Sequence, residues 1–132
     1  MCLNMVWLNK QKMWVPCGRC FECKVAKSTE WSNRIALEAM EHEENCFITL
    51  TYDNQYLPEN NSLRRKDLQD FIKRLRRRYE DRKIRYFYCG EYGSKGLRPH
   101  YHMILFGYDF VDKTYWMNDH KGNAIYRSKL LS

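Results

Sequence analysis

Two histidines, His100 and His102, flank a single tyrosine at the start of the run HYHMILF. Alternate side chains of a β-strand project from the same face, so in a strand both imidazoles lie on one side, about 7 Å apart along the chain. Two neutral imidazoles placed in this way can chelate one divalent ion. Tyr101 then points to the opposite layer, and the apolar residues that follow predict a strand buried at its far end.

Glu91, in GEYG, is the candidate third ligand, and it precedes His100 by nine positions. A hairpin through residues 93–99 would bring its carboxylate beside the imidazoles. Such a set leaves coordination positions for water or a phosphate oxygen, which suits Lewis-acid catalysis. Nitrogen and oxygen donors accept Mn²⁺ well and Mg²⁺ more weakly. A bare His-x-His also occurs by chance on strand edges, so Arg98-Pro99 and the following apolar run strengthen the interpretation.

Three cysteines, Cys17, Cys20 and Cys23, form a C-x2-C-x2-C pattern, and Cys2 is available as a fourth ligand. Four thiolates at such spacing predict a tetrahedral structural zinc site. An iron–sulfur cluster or free buried thiols are the alternatives. The N-terminus shows no secretory signal, so we expect reduced thiols rather than disulfides.

The excess positive charge lies in one segment, Arg64–Arg85. It contains eleven Lys/Arg and four Asp/Glu, which equals the formal net charge of +7 for all 132 residues. Such a patch is typical of nucleic-acid binders, although a solvated helix face is the alternative. We expect phosphate contacts from four arginines: Arg74, Arg77, Arg78 and Arg98.

The pattern of apolar residues predicts an α+β fold. We expect helices at about 24–43 and 68–79, and strands at 46–52, 84–89 and 100–106. This order predicts a ferredoxin/RRM-like split βαβ antiparallel sheet with helices on one face. Cys46 and Cys89 fall within strands and are predicted core residues. We expect residues 1–23 to form a Cys-rich arm and residues 24–132 a domain, with 126–132 opening a helix that is cut off.

Three segments resemble the replication initiators of gokushovirus-like microviruses. They are PCGRCFEC at 16–23, CFITLTYDNQYLP at 46–58 and GEYGSKGLRPHYHMILFG at 90–107, and they occur in the order that this family shows. An apolar residue between two histidines is the signature of HUH endonucleases, and tyrosine is a tolerated variant. The resemblance implies an HUH endonuclease fold, here incomplete. It also implies a divalent ion on His100 and His102, with Glu91 matching the third ligand by position.

The implied activity is cleavage of single-stranded DNA at a viral origin, which starts rolling-circle replication. In this family a tyrosine on a later helix, within a motif like Tyr-x-x-Lys-Tyr, forms a 5′-phosphotyrosine. The sequence has no such motif, and Tyr126 in IYRSKLL is a poor candidate. We therefore expect a chain that stops before the nucleophile and cleaves little alone. The resemblance implies single-stranded origin DNA and host replication proteins as partners, in the bacterial host cytoplasm.

Two other functions are compatible with these residues. One is a non-catalytic, zinc-stapled module that binds single-stranded nucleic acid, in which His100 and His102 bind nothing. The other is an HUH transposase or relaxase. No run reaches the roughly 18 apolar residues of a membrane span, so we expect no membrane partner.

Overall fold

The computed structural model describes residues 1–131, which form two compact units. The first unit is Met1–Glu41, and the second begins at His42. Within the described residues, no helix has the length and apolar character needed to cross a lipid bilayer.

The first unit consists of a short hairpin followed by a long helix. Strands β1 (Val6–Leu8) and β2 (Met13–Val15) pair antiparallel, and α1 spans Phe21–Met40. The sequence predicted this helix at about 24–43, and it begins three residues earlier. The hairpin was not predicted, because three residues per strand are too few to show an alternating pattern.

The second unit contains a three-stranded sheet and one helix. Its strands are β3 (Asn45–Thr51), β4 (Arg85–Tyr92) and β5 (Pro99–Phe106), and α2 (Arg65–Arg78) connects β3 to β4. The order across the sheet is β3-β5-β4, and β5 runs antiparallel to both neighbours. The three predicted strands and the predicted helix are therefore confirmed.

The two faces of this sheet have different environments. On one face, Tyr101, Met103 and Leu105 of β5 are buried with the α2 side chains Leu68 and Ile72 in the hydrophobic core. Because side chains alternate along a strand, the histidines of β5 project from the other face. The amphipathic pattern of α2 thus determines which face of the sheet is closed and which is left for chemistry.

The C-terminal region forms a second hairpin, in which β6 (Thr114–Asn118) pairs antiparallel with β7 (Ala124–Arg127). The predicted opening of a helix at 126–132 is therefore wrong at its start, and Ser132 lies outside the described residues. Tyr126 is opposite Tyr115, with ring centroids 6.2 Å apart. This cross-strand aromatic pair stabilises the hairpin, and the short apolar run that follows does not extend into a helix.

Candidate metal centres

The first candidate centre lies on the open face of the sheet. In the strand register, Glu91 of β4 is directly opposite His100 of β5, and His102 is two residues further along. Glu91 Oε1 lies 3.4 Å from His100 Nε2 and 3.2 Å from His102 Nε2. One donor atom from each side chain lies within 4.8 Å of the others. The structure therefore brings together the three ligands that the sequence predicted, and we call them the His–His–Glu triad.

Glu91 is held as a carboxylate in this arrangement. The hydrogen bond from His102, together with the charge of both imidazoles, lowers the pKa of the Glu91 carboxyl. Both histidines are half-buried, whereas the glutamate is exposed. A ligand that approaches from solvent would thus meet an ionised oxygen and two Nε2 atoms, which is a suitable donor set for Mn²⁺.

His102 is oriented by two residues of the neighbouring strand β3. Thr49 Oγ1 lies 3.1 Å from His102 Nδ1, and the Phe47 ring stacks on the imidazole at 5.7 Å and 14°. When Nδ1–H donates to the threonine oxygen, the lone pair of Nε2 faces Glu91 and is free for a metal. The sequence placed Thr49, Thr51 and Phe47 on one face correctly, but did not identify Thr49 and Phe47 as partners of the histidine.

We expect Thr49→Val to weaken divalent metal binding without unfolding the protein. The substitution keeps the β-branched shape and removes the oxygen that sets the His102 tautomer. Loss of such an outer-shell partner typically costs about 10- to 100-fold in metal affinity. Calorimetric titration with Mn²⁺ measures the change. Thr51→Val, on the same exposed face, is the matched control, and an equal loss in both variants would contradict a specific role for Thr49.

Arg98 connects two loops beside the triad. Its guanidinium donates to Asn54 Oδ1 at 2.7 Å and to the backbone oxygen of Tyr52. The turn that it belongs to is closed by Gly93 N donating to the Arg98 carbonyl at 2.9 Å. The side chain is half-buried and fixes the segment after β3 against the start of β5. A phosphate contact by Arg98 stays a prediction, and the structure adds a local bracing contact.

The arginines of α2 lie on the other side of the sheet from the triad. Arg74, Arg77 and Arg78 are exposed, and the helix packs its apolar side against the closed face. The sequence predicted the basic patch correctly as a helix surface. Any phosphates bound by these arginines would therefore occupy a different surface from a phosphate at the triad.

The second candidate centre is formed by the four N-terminal cysteines. Cys20 Sγ lies 3.8 Å from Cys2 Sγ, and Cys17 Sγ lies 4.0 Å from Cys23 Sγ. All four sulfur atoms lie within 4.8 Å of one another, and all four residues are half-buried. The fourth ligand suggested by sequence, Cys2, therefore does join the other three. We call this group the four-cysteine cluster.

Backbone amides support a thiolate at Cys17. The N–H groups of Arg19 and Cys20 both donate to Cys17 Sγ, each at 3.4 Å, and lower the pKa of the thiol to about 6. A deprotonated sulfur is the form that binds metal. These contacts arise from the tight turn at Gly18, whose φ of 73° is available to glycine at little cost.

Other predicted residues have different environments. Cys46 packs against the core as expected, but Cys89 is exposed on the open face, opposite His102, so its assignment to the core was wrong. The strand was predicted correctly, but its alternation places this residue on the side without α2. Tyr126 lies on β7 with its ring near Tyr115 and Lys113, and not on a helix.

The fold and the two donor sets define an α+β protein with one nitrogen–oxygen centre and one sulfur centre. Residues 45–129 match the family described as Replication-associated protein ORF2, and the chain belongs to that family. The resemblance found in the sequence to microvirus replication proteins is thereby confirmed.

Three relatives are similar to this chain over much of its length. The Replication-associated protein ORF2 of Spiroplasma virus 4 is 36% identical over 127 residues, which covers 89% of this chain and 39% of the relative. The Replication-associated protein ORF4 of Chlamydia phage 1 is 43% identical over 98 residues, covering 71% and 24%. The Replication-associated protein VP4 of Bdellovibrio phage phiMH2K is 32% identical over 123 residues, covering 88% and 39%. The chain thus spans less than two fifths of each relative. No solved structure matches it.

Proposed function

We propose that this chain is the metal-binding part of an HUH-type replication initiator, which nicks single-stranded DNA at a viral origin to start rolling-circle replication. The observation that supports this proposal is the convergence of His100, His102 and Glu91 on the open face of a sheet in a replication-associated protein. In this proposal the β3-α2-β4-β5 unit is the split βαβ part of a ferredoxin-like sheet.

The residues of the triad would hold the metal and present the DNA to it. His100 Nε2, His102 Nε2 and Glu91 Oε1 are the proposed ligands of Mn²⁺ or Mg²⁺. A divalent ion bound there would supply Lewis-acid polarisation of the scissile phosphate. Thr49 and Phe47 orient His102, and Arg98 braces the adjacent loops. In the proposed reaction a tyrosine hydroxyl attacks phosphorus, the 3′-oxygen leaves, and a 5′-phosphotyrosine conserves the bond energy for religation.

A metal titration tests this proposal. We expect wild-type protein to bind one Mn²⁺ at the triad, and the double variant His100→Ala/His102→Ala to bind it at least about 100-fold more weakly, since two of three protein ligands are lost. His120→Ala removes an exposed histidine in the β6–β7 turn and is the matched control. Equal Mn²⁺ affinity in wild-type and double variant would instead favour the non-catalytic binding module.

A covalent-adduct assay addresses the nucleophile separately. Because the 132 residues contain no Tyr-x-x-Lys-Tyr motif, we expect no covalent adduct on single-stranded origin DNA with Mn²⁺. An adduct that forms with wild-type and disappears in Tyr126→Phe would assign the nucleophile to β7 and overturn that expectation.

For the four-cysteine cluster we propose structural zinc. Four sulfur donors satisfy a tetrahedral ion completely, which leaves no open position for substrate. The cluster would therefore stabilise the first unit rather than take part in cleavage.

A further inference from the structure

The β1–β2 hairpin presents two tryptophans to solvent. Trp7 and Trp14 are direct cross-strand partners, with ring centroids 5.5 Å apart and an interplanar angle of 58°. Trp7 is 44% exposed and Trp14 is 60% exposed. Exposed indoles at adjacent positions are unusual on a protein surface unless they contact a ligand.

The charge around this aromatic pair is entirely positive. Residues 1–21 contain Lys10, Lys12 and Arg19 and no Asp or Glu, and the first acidic residue is Glu22. Both lysines lie in the turn between β1 and β2, two to five residues from an indole in sequence. Indoles that can stack on unpaired bases, with ammonium groups that can contact phosphates, match the chemistry of a single-stranded nucleic acid.

The four-cysteine cluster closes the base of the same hairpin. Cys2 precedes β1 and Cys17 follows β2, and the Cys17 amide donates to Cys2 Sγ at 3.3 Å. A two-stranded hairpin with three pairs is marginally stable in water by itself. Metal binding at its base would therefore order the two strands and hold the indoles beside each other before DNA binds.

We propose that this hairpin is a stacking platform for unpaired DNA bases, and that the metal in the four-cysteine cluster preorganises it. The site is separate from the triad and uses only residues of the first unit. The choice of DNA over RNA rests on the proposed function, whereas the use of a single strand rests on the exposed indoles and the lysines.

The test measures binding of a fluorescein-labelled oligo-dT by anisotropy, using the full chain loaded with Zn²⁺. We expect Trp7→Ala/Trp14→Ala to lower affinity about 10- to 100-fold, since base–aromatic stacking is lost. Trp7→Phe/Trp14→Phe keeps aromatic rings and should retain most of the affinity. Trp116→Ala removes an exposed tryptophan from the other hairpin and is the matched control. Lys10→Ala/Lys12→Ala should reduce the slope of log affinity against log salt by about 1.4.

Zinc content and circular dichroism show whether each variant remains folded. The platform is overturned if Trp7→Ala/Trp14→Ala retains zinc and binds oligo-dT as tightly as wild-type. It is also overturned if that variant changes only the sedimentation coefficient, since the indoles would then contact a second copy of the chain. Oligo-RNA bound equally well would contradict the choice of DNA alone. Mn²⁺ affinity at the triad is measured in parallel, so that failure of the proposed nickase and failure of the platform are distinguishable.

Discussion

Removal of zinc from the four-cysteine cluster should unfold the first unit and leave the three-stranded sheet of the second unit intact. No side chain in residues 1–41 is fully buried, so this unit lacks a hydrophobic core of its own. Small domains without sufficient burial usually need a metal or disulfides. Structural zinc contributes about 10–16 kcal/mol of apparent binding free energy in small zinc-binding peptides, which is far more than a three-pair hairpin supplies.

Two measurements check this expectation. Treatment with a strong chelator should reduce the helical circular dichroism of α1 and make residues 1–41 susceptible to proteolysis, whereas amide signals of β3, β4 and β5 should persist. Cys17→Ser should lose one equivalent of zinc. Cys89→Ser, which changes an exposed cysteine outside the cluster, should keep it. A metal-free first unit that resists protease as well as the zinc-bound form would contradict a structural role.

The elements that position the triad could be predicted because each has a strong local pattern. The run from Pro99 to Phe106 alternates between buried and half-buried residues up to its last position, as the sequence of β5 indicated. The α2 segment buries Leu68, Ile72 and Leu75 at helical spacing. Spacing also identified the cysteines, because C-x2-C-x2-C brings thiols together through local turns that do not depend on distant contacts.

The features that were missed depend on partners distant in sequence. Thr49 reaches His102 across 53 positions, and His42 stacks on Phe106 at 6.0 Å rather than lying as a solvated surface residue. Arg98 was predicted to contact phosphate, but its guanidinium bonds to the loop after β3. A single sequence shows that such residues are polar or aromatic, but does not show which of many possible partners they meet.

The position of the basic helix also required the structure. Charge counting identified the Arg64–Arg85 segment, but the face of the sheet that α2 covers follows from tertiary packing. The helix connects two parallel strands with β5 between them, so it must lie on one face of the sheet, and the core residues of β5 show that this face is opposite the histidines. A DNA strand at the triad is therefore expected to use loops and Arg98 nearby before it reaches the α2 arginines.

The strand β5 serves the core with one face and the triad with the other, so the two roles can be separated by substitution. Leu105 is fully buried at 0% exposure beneath α2, and Leu105→Ala should lower the free energy of unfolding by about 2–5 kcal/mol through lost burial and a cavity. That is a large share of the roughly 5–15 kcal/mol typical of a domain. Ile104→Ala, at a half-buried position on the histidine face, should cost less.

Urea denaturation of the second-unit sheet measures both changes, and Mn²⁺ titration well below the unfolding transition measures the effect on the triad. We expect Leu105→Ala to retain wild-type Mn²⁺ affinity while it remains folded, because His100, His102, Glu91 and Thr49 all lie on the other face of the sheet. A folded Leu105→Ala protein with metal affinity reduced tenfold or more would show that core packing sets the spacing of the ligands. In that case the hydrogen-bonded pairing of β3 and β4 with β5 would not be sufficient to position them.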